Sequence, residues 1–106
     1  MLKVVKASSI ILVSADWEKT SSLARRVCEE AAKNLGLPLE ERKEDWTFLA
    51  KYGAKDEYGG VDIPQVFVKY EDGTVKQVFS RIPLNKAGKP DLVEAIRLLN
   101  EAVGKG

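Results

Sequence analysis

The sequence predicts an α/β domain: one mixed four-stranded sheet, element order β-α-β-α-β-β-α, with helices on both faces. Three observations predict it. Ile10-Ile11-Leu12-Val13 is a continuous aliphatic run, the pattern of a central strand covered on both sides. Leu23, Ala24, Val27, Cys28, Ala31 and Leu35 then recur at helical spacing as one apolar stripe. Further on, two strands, one opened by Pro64 and running to Tyr70, the other from Val75 to Arg81, flank Glu71-Asp72-Gly73-Thr74, whose Asp-Gly pair signals a tight hairpin.

The elements follow in order. Val4-Val5 either extends the first strand or forms a short one of its own. Ser14 to Trp17 leaves that strand, and Asp16 or Thr20 is placed to cap the helix that follows, by accepting from its free backbone N–H groups. Gly36 and Pro38 end that helix near Leu35. Leu39 to Lys43 reads as a polar edge strand. A short helix over Asp45 to Tyr52 puts Trp46, Leu49 and Ala50 on one side, with Trp46 expected in the core, and Gly53 stops it. Ala54 to Gly60 is a polar loop with a Gly-Gly hinge. After the hairpin and the loop Ile82 to Lys89, Pro90 is expected in the first turn of a last helix, where its missing N–H costs nothing. Leu92, Val93, Ile96, Leu99 and Val103 make that helix's stripe. The strand–helix–strand unit of the first half is parallel and expected to be right-handed.

With 106 residues the chain makes one domain, residues 1–106. A domain of that size buries about 65% of its unfolded surface and needs no metal or disulfide to fold. The charge is balanced, 17 Lys plus Arg against 16 Asp plus Glu, which argues against a nucleic-acid partner. The mixed run Glu40 to Asp45 reads as solvated surface. The N-terminus lacks the pattern of a signal peptide, and the run Ile10 to Val13 is too short to span a bilayer, so a cytoplasmic protein without a membrane partner is expected. Many Lys and Glu beside few Cys, Met and Gln would suit a thermophile.

The chain has no histidine and one cysteine, Cys28. That excludes a histidine-based triad, an intramolecular disulfide, and metal sites built on Cys or His. No cofactor is expected. Asp56, Glu57 and Asp62 bracket Gly59-Gly60, but their spacing does not fit a calcium loop, and a solvated loop is expected. Cys28 lies two turns inside the first helix on its apolar stripe, the place of a buried structural thiol. Asp16, Glu18 and Asp62 are candidates for paired carboxylates, if the fold brings them together.

Ala15-Asp16-Trp17 before a helix, Lys51-Tyr52-Gly53, Ile63-Pro64 before an apolar strand, and Tyr70-Glu71-Asp72-Gly73-Thr74-Val75 together resemble the thioredoxin-like superfamily, over about Ile10 to Val103. The family's usual first strand and helix are missing, so a minimal, glutaredoxin-sized version is the closer comparison. The resemblance implies a cis bond before Pro64 and a groove beside it that pairs with an extended substrate. It also places the two redox cysteines on Glu18 and Ser21 and the assisting buried aspartate on Leu12. Disulfide exchange needs an attacking thiolate and a resolving thiol, and both are absent. Ser21 invites comparison with the serine-type glutathione transferases, but Glu18 beside it would repel a developing thiolate.

The expected function is therefore a non-redox binding module. Its groove is made by Trp17, Glu18, Lys19, Thr20 and Ser21 on one side and Asp62, Ile63 and Pro64 on the other. The expected partner is a protein or an extended peptide, and the chain is expected to be a monomer or a weak dimer. The alternative is an oxidoreductase relative that handles thiols through glutathione or a partner's cysteines. In the plainest alternative, Pro64 serves folding alone and Trp17 only packs.

Overall fold

A computed structural model describes residues 5–55 and 57–104. Its seven elements come in the order that the patterning predicts: β1 (Ala7–Ser14), α1 (Thr20–Leu35), β2 (Leu39–Lys43), α2 (Trp46–Tyr52), β3 (Gln65–Tyr70), β4 (Val75–Phe79) and α3 (Leu92–Gly104). The strands form one sheet in the order β2-β1-β3-β4. β1 runs parallel to β2 and antiparallel to β3, and β4 is antiparallel to β3. The first strand starts at Ala7, earlier than the aliphatic run alone suggested; of the Val4-Val5 pair, Val4 lies outside the described residues and Val5 precedes the strand.

Side-chain alternation along β1 and β3 divides the core into two layers. Ile10, Leu12, Val66 and Val68 face α1 and α3, packing with Ala24, Val27, Cys28 and Ala31 of the first and Ala95, Leu99 and Ala102 of the second. Ile11, Val13 and Phe67 face α2, where Leu49 is buried and Phe48 and Tyr52 pack at the margin. The Phe48 ring meets Phe67 edge-on at 5.0 Å, a favoured aromatic geometry. Two long helices thus cover one face and one short helix the other.

Four local expectations are corrected. Neither Asp16 nor Thr20 caps α1. Lys19 occupies the cap position with helical backbone angles and no side-chain cap bond. Asp16 instead pairs with Lys43 at 2.9 Å, while Glu18 accepts from the Thr20 backbone N–H and hydroxyl. Second, α2 begins one residue later than expected, because Asp45 stands outside as its cap and accepts from the Phe48 N–H at 3.0 Å. Third, Trp46 is not in the core but 45% exposed, and Ala50 is exposed too. The buried side of this short helix is taken by Phe48, Leu49 and Tyr52. Fourth, Pro90 lies before α3, bridged to Leu84, because Asp91 takes the cap and accepts from the Glu94 N–H at 3.0 Å. The Gly36 stop holds as expected: its φ of 68° is left-handed, and its N–H closes on the Ala32 carbonyl.

The loop between α2 and β3 is pinned from below. Gln65 is fully buried; its Oε1 accepts from the Ala54 N–H at 2.9 Å. Its Nε2 donates to the carbonyls of Ala54 at 3.2 Å and Asp62 at 2.9 Å. One side-chain amide therefore stands in for strand pairing along this loop. Gly53 is required beside it, since a Cβ there would lie 2.7 Å from the Leu49 carbonyl oxygen and 3.0 Å from Gln65 Nε2.

Candidate functional site

The topology gathers four connections at one end of the sheet. Ser14 ends β1 opposite Lys43 at the end of β2, Val13 is paired with Gln65 at the start of β3, and Phe79 at the end of β4 lies opposite Val66. The segments after β1, after β2, before β3 and after β4 therefore meet there. The chain leaves β1 toward β2 on one side while β3 lies on the other, the topological switch where α/β sheets open a crevice.

A cavity of about 590 Å³ occupies this place. Trp17, Glu18, Thr20 and Leu23 come from the entry to α1, and Trp46 from the start of α2. Val61, Asp62 and Ile63 form the wall before β3, and Arg81, Ile82, Leu84 and Pro90 the wall after β4. Apolar surface is unusually open here: Trp17 is 60% exposed and Leu84 64%.

Glu44 ties the two tryptophans to the sheet. Its N–H donates to the Ser14 carbonyl at 2.7 Å, and its own carbonyl accepts from the Trp46 N–H at 3.0 Å. Its carboxylate accepts from Trp17 Nε1 at 3.1 Å. The residue adopts a left-handed backbone with φ of 49°, uncommon for a side chain of this kind. Such a conformation costs on the order of 1 kcal/mol and persists where neighbours hold it.

Of the residues expected at the groove, Trp17, Glu18, Thr20, Asp62 and Ile63 are brought together around the cavity. Lys19 and Ser21 are not. They line a second, smaller depression with Asp16, Ser22 and Arg25, and Glu18 borders both. Ser21 is 2% exposed, and its hydroxyl accepts from the Ala15 N–H at 3.1 Å, fixing the turn into α1. Pro64 is fully buried, and the Ile63–Pro64 bond is cis. Among the described residues, neither the backbone N–H nor the carbonyl of Ile63 has a hydrogen-bond partner.

The candidate carboxylates have separate partners: Asp16 with Lys43, Asp62 with Arg81 at 3.7 Å, and Glu18 with Thr20. No acidic pair is assembled from them. Cys28 lies inside α1, away from the cavity; burial, with Glu41 and Glu29 nearby, pushes its thiol up to about 12. Among the described residues no group of three or more His, Cys, Asp or Glu could hold a metal ion; Asp56 of the expected solvated loop lies outside them. No helix among them is long and apolar enough to cross a membrane.

Leu23, Trp46, Val61, Arg81, Ile82, Leu84 and Pro90 line the cavity without having been expected at the groove. For Trp46 a signal existed: Asp45 directly before it is a helix cap, which puts Trp46 at the exposed first position of a short helix. For the wall after β4 none existed, because only the hairpin's return beside β3 brings it to the cavity. No family model matches the chain, and neither a curated protein nor a solved structure matches it.

Proposed function

We propose that this is a thioredoxin-like protein without redox chemistry, which binds an extended peptide segment along the cavity between Trp17 and Ile63. The element order, the sheet order β2-β1-β3-β4 and a proline at the head of β3 support the thioredoxin-like reading. The binding reading is carried by one observation: unpartnered main-chain groups of Ile63 lie beside an open apolar cavity. A peptide strand laid there gains backbone hydrogen bonds from Ile63 and apolar contacts from Trp17, Trp46 and Leu84. Redox turnover is opposed by the buried, high-pKa thiol of Cys28 and by the lack of any second thiol.

Two measurements test the proposal. In an NMR titration with extended apolar peptides, the Ile63 amide and the Trp17 and Trp46 indole signals should shift together. Shifts absent from all three would remove the binding reading. In a dithiothreitol-driven insulin reduction assay the protein should match the blank. Clear acceleration would instead favour an oxidoreductase working through a partner's cysteines or glutathione.

A further inference from the structure

We propose that the peptide taken by this cavity carries a cationic side chain, Lys or Arg, seated against the Trp17 and Trp46 indoles with Glu18 and Glu44 as its counter-charges. The inference rests on the peptide reading above and narrows its ligand class.

Three observations carry it. Among the described residues, the charged ones lining the cavity are Glu18, Asp62 and Arg81, a net charge of −1 (two acidic, one basic). Asp62 and Arg81 face each other at 3.7 Å, so the lining carboxylate left without a cation is Glu18. Among the described residues, neither Glu18 nor Glu44 forms a salt bridge. Second, the Glu44 carboxylate is fixed at the edge of the Trp17 ring by the indole N–H. An indole face attracts a cation through the ring's quadrupole, and a carboxylate at the ring's edge adds a second attraction. Third, Glu44, in a left-handed backbone, accepts from the Trp46 main-chain N–H with its carbonyl and from the Trp17 indole with its carboxylate, so one residue links the two segments that carry the rings and supplies a charge beside the cavity lining. A Lys or Arg stem also suits the surrounding Leu23, Ile63 and Ile82, since its methylenes pack on apolar surface while the head stays polar.

The test uses the whole chain and four pools of acetylated, amidated hexapeptides. Each pool has valine, isoleucine and leucine at five positions and one fixed residue: Lys, Arg, norleucine or Glu. Affinities are read from quenching of tryptophan fluorescence. The Lys and Arg pools should bind about five- to tenfold more tightly than the norleucine pool, and the Glu pool should bind weakest. The preference should shrink in 0.5 M salt and in Glu18→Gln and Glu44→Gln, whose amide oxygens still accept the Thr20 and Trp17 hydrogen bonds. Equal binding of the norleucine and Lys pools overturns the cation preference and leaves the peptide reading standing. Failure of every pool to bind overturns both.

Discussion

Gln65 buries an uncharged amide at the start of β3, and three backbone groups of the preceding loop depend on it. Replacing it by leucine leaves Ala54 N–H and two carbonyls without partners. Gln65→Leu should cost about 2–3 kcal/mol in urea denaturation and speed exchange of the Ala54 amide. Cys28 gives a second expectation at this scale. With its thiol raised to about 12 by burial, it should stay unmodified by a thiol reagent at neutral pH in the native protein and react at once in denaturant. Reaction of the native protein at the rate of a free thiol would contradict its place in the core. The burial of Cys28 was legible from its position on the α1 stripe. For Trp46 the usual packing of large aromatic residues outweighed the one local signal, the Asp45 cap directly before it, and the short buried face of α2 leaves this ring turned outward.

Between elements, one ion pair fastens α1 to the edge strand β2. Arg25 meets Glu41 through Nε and Nη2 of its guanidinium at 2.7–3.0 Å, and the Ser14 hydroxyl donates to the same carboxylate at 2.5 Å. The Arg25 hydrogen bonds, aided by Ser14, hold the Glu41 carboxyl below its usual range. A depressed carboxyl pKa stabilises the fold fully above the unfolded-state value, and that stability is lost as pH falls through the lower folded value. Wild type should therefore exceed Glu41→Gln by up to about 1 kcal/mol at pH 7. The gap should close only below the ordinary carboxylate range, followed by thermal melts between pH 2 and 7. A gap independent of pH would remove the ion pair as its cause. The elements themselves were readable: the Ile10 to Val13 run, the α1 stripe with Gly36, and Asp72-Gly73 each carry a local signal. Helix starts were read less well, since Asp16, Asp45, Asp91 and Thr20 are all acceptable caps by type. Which of them is used depends on tertiary partners such as Lys43, which takes Asp16.

For the whole molecule, the cavity is built on the rim of the packing that stabilises it. Ile82 of its wall belongs to the buried cluster under α1 and α3, and Leu23, Val61 and Ile63 pack against the two clusters, whereas Trp17 belongs to neither. Trp17 is more than half exposed, so Trp17→Ala should leave the unfolding free energy within about 0.5 kcal/mol of wild type while weakening peptide binding. A large loss of stability would return Trp17 to a purely packing role. The makeup of the cavity also explains what the sequence could not disclose. Trp17, Glu18 and Ile63 stand next to recognisable motifs, but Arg81, Ile82 and Leu84 reach the cavity only through the strand order.

The Gln65 latch is also a place where acidity could be wired into the fold. In Gln65→Glu one carboxyl oxygen still accepts from Ala54 N–H, but the other faces the Ala54 and Asp62 carbonyls; it must carry a proton to bond either, and its single O–H serves one of the two carbonyls that the amide serves together. Burial and those two acceptors raise the folded pKa of that acid above its unfolded value. Stability then falls as pH rises from the unfolded value through the folded one. The variant should melt higher at pH 4 than at pH 7, with the loop at 54–62 loosening first in hydrogen exchange. A single atom exchange would turn a static brace into a proton-gated door for the wall that carries Ile63.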